Sequence, residues 1–203
     1  MQFRLEMAFF YQSGRLSIIV DEMAQRIAGR IRAERETRDW SIADLAERSG
    51  VSRAMISKIE RGESSPTATL LGRLSGAFGL TLTMLLSRAE EQGQRLSRRN
   101  DQEAWRDPES GYLRRSVVSA PQLPLEMTEI VLPPGASVAF PREAYLFIRQ
   151  AVWVIQGVLE FSEGATIHRL NAGDSLVLGQ PEACRFHNRG KRPCRYLVVV
   201  LRR

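Results

Sequence analysis

The 203-residue chain is poor in cysteine and histidine, with two of each. Cys184 and Cys194 both lie near the C-terminus. Their spacing matches no metal motif, and two thiols make no disulfide framework, which fits a reducing compartment. Long apolar runs are also missing. None approaches the ~18 residues that span a membrane. The stretch Met7–Tyr11 is too short, and Glu6 interrupts the apolar segment a signal peptide needs. The cytoplasm is therefore the expected compartment, with no membrane partner. There is no internal repeat, no Ser/His/Asp constellation, no glycine-rich phosphate loop and no carboxylate pair for acid–base work.

What is present is ordinary in bulk. A 43% hydrophobic and 26% charged composition suits a globular chain of one or two domains. The net charge of +6 hints at nucleic acid, but weakly. Residues 21–87 hold ten basic against nine acidic side chains, so any argument for DNA rests on where the charges sit.

The texture changes once along the chain. Residues 21–87 follow a helical period; residues 111–203 read as short strands broken by Gly, Pro and Asn. Between them, residues 88–110 are polar and charge-mixed and are expected to be a linker. Residues 1–20 admit three readings: an arm, an added strand, or a start placed too early, with Met7 or Met23 as alternatives.

Five helices are expected. The first, about Asp21–Arg38, puts Ala24, Ile27, Ala28 and Ile31 on one face, where Glu34 is out of place. The second, about Ser41–Ser49, has Ser41 as N-cap and Asp44 as its capping-box partner, with Ile42, Leu45 and Ala46 inward and Gly50 ending it. The third starts at an Ser52 N-cap, runs to Arg61 and stops at Gly62. It keeps only Ile56 and Ile59 for a core. The fourth begins after Pro66 or at Thr67 and carries Leu70, Leu71, Leu74 and Phe78. The fifth covers about Thr81–Leu86.

Two capped helices joined by Gly50-Val51 have the sequence shape of a helix-turn-helix. The stretch "SIADLAERSGVSRAMISKIERGESSPTATLLGRLSGAFGL" resembles the Cro and phage-repressor type of that motif, the XRE family. The resemblance implies that the third helix enters the major groove of double-stranded DNA. Arg53, Ala54 and Lys58 would then read bases, with Ser52, Ser57 and Arg61 close to phosphate. It also implies that Glu60 is a structural acid paired to Arg35. One departure stands out: the family commonly has a phosphate-clamping glutamine where this chain has Ile42.

The second half alternates over "YLRRSVVS", "MTEIVLPPG", "AVWVIQGVLEFSE", "ATIHRLNAGDSLVL", "CRFHNRG" and "CRYLVVVL", which indicates an all-β sandwich or barrel. With its Gly173-Asp174 turn and its Ile155–Gly157 signature, it resembles the cupin family, a double-sheet jelly roll. Cupins that hold a metal usually supply three His and one Glu. Aligned on the glycines, those positions fall on Pro141, Glu143, Gln150 and Cys184. Proline has no donor, and one carboxylate with one thiolate is a poor set, so no metal and no other cofactor is expected. His187 is out of strand phase with Cys184. His168 is expected at a surface or interface.

The expected whole is thus two-domain: an all-α five-helix DNA reader, then an all-β cupin-like sensor. Arg142, Glu143, Gln150 and Cys184 would converge on a polar or zwitterionic small-molecule effector, provided Phe186, Val152 and Val154 do not close the pocket. The expected role is a homodimeric, sequence-specific transcription regulator on a near-palindromic operator, not an enzyme. Two alternatives remain open: a metal-dependent cupin enzyme tethered to DNA or a partner, and a thiol redox sensor using Cys184 or Cys194.

Overall fold

A computed structural model describes residues 23–87, 96–119 and 123–202. The expected arm at 1–20 and the first part of the expected linker lie outside those residues.

Residues 23–36 are helical and form α1. Ile27, Ala28 and Ile31 are buried along it. Glu34 is not a defect in this face: it bridges Arg30 at 2.7 Å and Arg38 at 2.6 Å, one helical turn to each side. Arg38 in turn lies over the rings of Trp40 and Phe78 and donates to the Phe78 carbonyl. The acid thus orients an arginine that ties α1 to Phe78.

The remaining helices are α2 (Ile42–Ser49), α3 (Arg53–Glu60), α4 (Ala68–Phe78) and α5 (Leu82–Leu86). Each begins where a hydroxyl can cap it. Ser41, Ser52, Thr67 and Thr81 accept from the amides of Asp44, Met55, Leu70 and Met84. Ser41 and Asp44 close a reciprocal capping box. Gly50 ends α2 at φ 65°, a left-handed conformation that glycine adopts without a Cβ clash. Leu45, Ile56, Ile59, Leu71 and Leu74 pack at the centre.

The strands form two antiparallel sheets. The larger runs β1 (Ala104–Arg106), β2 (Leu113–Ser119), β3 (Leu125–Leu132), β10 (Cys194–Arg202), β5 (Ile148–Gln156) and β8 (Ser175–Val177). The smaller runs β4 (Ser137–Phe140), β9 (Cys184–His187), β6 (Val158–Glu163) and β7 (Thr166–Asn171). Alternation along β5 and β10 sends Val152, Val154, Tyr196 and Val198 into the space between the sheets. There Phe186 of the smaller sheet stacks on Tyr196 of the larger, with centroids 5.6 Å apart.

The expected linker does not remain free. Within it, β1 pairs with β2, and Trp105 is buried. Asp107 is buried as well; it accepts from the Ala68 amide at 2.7 Å, capping α4 from outside the helical region. Helix α4 also lies against β4 and the short 3-10 turn at Arg142–Tyr145. Gly76 makes that approach possible, because a Cβ there would sit 3.1 Å from the Ala144 backbone nitrogen. Helices and sheets therefore share one continuous apolar core rather than two cores on a tether.

Candidate nucleic-acid interface and effector cavity

The exposed face of α3 carries two basic side chains and no acid. Arg53, Ala54 and Lys58 are exposed, Ser57 is half-buried, and Ser52 caps the helix at its exposed start. The helix has one acid, Glu60, and it points inward. Arg35 clasps Glu60 with Nε at 2.7 Å and Nη2 at 2.8 Å, the side chains being 13% and 4% exposed. A bidentate, largely dry pair of this kind is strong and directional. Arg35 also donates to the Trp40 carbonyl, and Arg32 donates to the Glu60 carbonyl. Three residues of α1 and its exit thereby fix the tilt of α3. Ile42 is half-buried against the core, as an apolar side chain there must be.

Arg61 is not free for phosphate. Its Nε and Nη2 bind Glu63 at 2.6 and 2.8 Å, and Nη1 donates to Ser57 Oγ. Glu63 raises the arginine's pKa and is itself held below the usual carboxylate range by Arg61. Glu63 is the residue sequence reasoning missed here. Its position two residues after Arg61 was the only available signal.

The four expected effector residues are not brought together. Gln150 and Cys184 border a cavity of about 390 Å³, with Arg149, Glu163 and the 177–182 loop. Arg142 and Glu143 are exposed on the 3-10 turn. Arg142 donates to the Pro181 carbonyl at 3.0 Å, and Glu143 lies toward Gly76 of α4. The centre of the sandwich is filled as well, since Phe186, Val152 and Val154 are all buried.

The donors at the cupin metal positions do not fit a metal. Pro141 offers nothing, Glu143 faces away, and Gln150 and Cys184 remain. Among the described residues no three His, Cys, Asp or Glu side chains gather as a metal-binding group. His187 points away from Cys184, as its phase requires, and sits 3.5 Å from Glu160. His168 differs from expectation: it shares the inward face with its register partner Phe161 and stacks on that ring. Burial pushes both thiols up to about 11, so they are protonated at neutral pH and poor nucleophiles.

The helix-turn-helix family HTH_3 matches residues 31–85. The HTH-type transcriptional regulator SutR of Escherichia coli (strain K12) is 25% identical over 187 residues, covering 89% of this chain and 97% of that protein. The uncharacterized HTH-type transcriptional regulator Rv0023 of Mycobacterium tuberculosis (strain ATCC 25618 / H37Rv) is 40% identical over 76 residues, 36% of this chain and 30% of that protein. A crystal structure of an HTH_3 family transcriptional regulator from Vibrio cholerae has the same fold, with a TM-score of 0.76 over 90% of this chain and 98% of its own at 19% identity. No helix among the described residues is long and apolar enough to cross a membrane.

Proposed function

We propose, for a chain that carries an XRE-type helix-turn-helix domain followed by a cupin-like β domain, that it is a cytoplasmic transcription regulator. It reads a near-palindromic operator as a homodimer and adjusts that binding to a small molecule held by the β domain. The observation that carries the DNA reading is α3 itself: a capped helix, exposed on one face, presenting Arg53 and Lys58 with its only acid buried. Such a helix fits the ~12 Å major groove. Arg53 offers its fork to guanine O6 and N7, and Ala54 meets a thymine methyl. Ser52 and Ser57 approach phosphate, joined by Arg61 once it leaves Glu63.

Pairing of two chains is supported by the outer face of the larger sheet. Trp153, Val177 and Leu201 are 49%, 75% and 46% exposed there. The register sets Leu197 beside Trp153 and Val199 beside Ala151 and Val177, which makes one apolar stripe. Two recognition helices joined through such a face would reach major grooves about 34 Å apart.

Among the described residues no donor set supports the metal-enzyme alternative, and the raised thiols do not support the redox one. Effector sensing is supported by the open space beside Gln150 and Cys184. The direct test is Arg53→Ala, with affinity measured by anisotropy on a panel of duplexes. It should lose about 1–3 kcal/mol on the preferred site and relax a single base position. A variant that keeps the parent's full sequence preference would show that Arg53 reads nothing.

A further inference from the structure

A second, smaller cavity of about 60 Å³ lies where the helices meet the mouth of the sandwich. Its walls come from both parts: Ser75, Thr81 and Thr83 on one side, Arg114, Glu126 and Gln150 on the other. The charged pair is out of keeping with its place. Alternation along β3 sends Glu126 inward with Thr128, Ile130 and Leu132, so the acid sits on the core face and is 2% exposed. Its Oε1 accepts from Thr81 Oγ1 at 3.0 Å and lies 3.6 Å from Arg202. Its Oε2 has no hydrogen-bond partner among the described residues. A buried carboxylate oxygen without a donor is costly. Opposite, Arg114 donates to the neutral oxygens of Thr83 and Thr128, the latter at 3.1 Å. Arg114 also hydrogen-bonds Tyr112, which lines the same space. Acceptor and cation thus border one small space, with Glu126 Oε2 left to be satisfied.

We propose that this cavity binds a small zwitterionic amino acid, its ammonium on Glu126 Oε2 and its carboxylate on Arg114. The inference rests on the effector-sensing reading above and gives it a site and a ligand class. Size narrows the class. A water-sized centre needs roughly 10–15 Å³, so the cavity takes about four to six non-hydrogen atoms. Glycine and alanine fall in that range; leucine does not. Because α5 and β2–β3 both contribute walls, the occupant touches the DNA-reading part and the β domain at once. It thereby favours one arrangement of the two, which is the differential contact that a ligand-controlled equilibrium requires.

The test is calorimetric titration of the full chain, without DNA, with glycine, alanine, leucine, acetate and methylamine. Saturable binding of glycine or alanine is expected, with acetate, methylamine and leucine at least tenfold weaker. Glu126→Gln and Arg114→Gln should each weaken glycine at least tenfold while melting cooperatively. If either variant fails to fold, the ligand series on the unmodified chain decides alone. No saturable heat from glycine or alanine overturns the proposal. So does acetate or methylamine binding as tightly as glycine, since one charge would then suffice. So does glycine binding unchanged in both variants. None of these outcomes touches the DNA reading, which fails separately if the chain shows no sequence preference.

Discussion

At the scale of single residues, Glu63 holds the guanidinium that α3 would otherwise offer to phosphate. Both partners of this pair are about half exposed, and such exposed pairs add little to stability. DNA can therefore compete for Arg61 at little cost. Glu63→Gln should strengthen binding to all duplexes alike, and Arg61→Ala should flatten the salt dependence by about one phosphate contact. Anisotropy across a salt series checks this; an unchanged slope would mean that Arg61 makes no phosphate contact. The thiols allow a second prediction. Burial raises them from 9.0 to about 11, so the folded state favours their protonated form. The stability this contributes is full below pH 9 and lost as pH rises toward 11. Thermal melts should show that loss, and Cys194→Ala should reduce its slope; an identical slope in the variant would contradict it. On the folded chain at pH 7.5, the fully buried Cys194 should label with a disulfide reagent only as fast as the chain opens. Ser52, Arg53 and Lys58 were legible because their exposure follows from helical phase and a local cap. The Arg61–Glu63 pairing was not, because two side chains at a helix exit meet through rotamers that no periodicity encodes.

At the scale of elements, α3 is positioned by a pair that cannot be half removed. Arg35→Ala leaves the buried Glu60 carboxylate with only Arg32, 3.8 Å away, and about 3–5 kcal/mol of stability should be lost. Urea unfolding measures it; a loss below 1 kcal/mol would show that water or Arg32 replaces the partner. The buried cap on α4 is a gentler case. Asp107→Ala should cost about 0.5–2 kcal/mol, the usual worth of a capping acceptor. A change within error would mean that Thr67 caps the helix unaided. The same element shows why the linker was misread. Helix ends are announced by residues one turn away, and the Ser41 and Ser52 caps followed the sequence. β1 has three residues, too few for alternation to register, and the role of Asp107 appears only when α4 lies beside it. Glu34 is similar: the period marked it as out of place, and only the flanking arginines explain it.

At the scale of the whole molecule, helices and sheets share one core, and the outer face of the larger sheet is left apolar. Trp153→Glu should make the chain monomeric by sedimentation and weaken the operator at least tenfold, since a single half-site remains. A variant that still sediments as a dimer would place the pairing surface elsewhere. The second half was legible as alternating strands. The joint cavity was not, because Thr83, Arg114 and Glu126 are far apart in the chain and meet only across the domain contact. The regulatory reading depends on α3 lying in a major groove. The measurement that tests this most directly is selection from a pool of random duplexes with the purified full chain at low salt. Enrichment of a near-palindrome with half-sites about one helical turn apart, lost in Arg53→Ala, is the predicted result. A selected pool no different in sequence from the starting pool would contradict it.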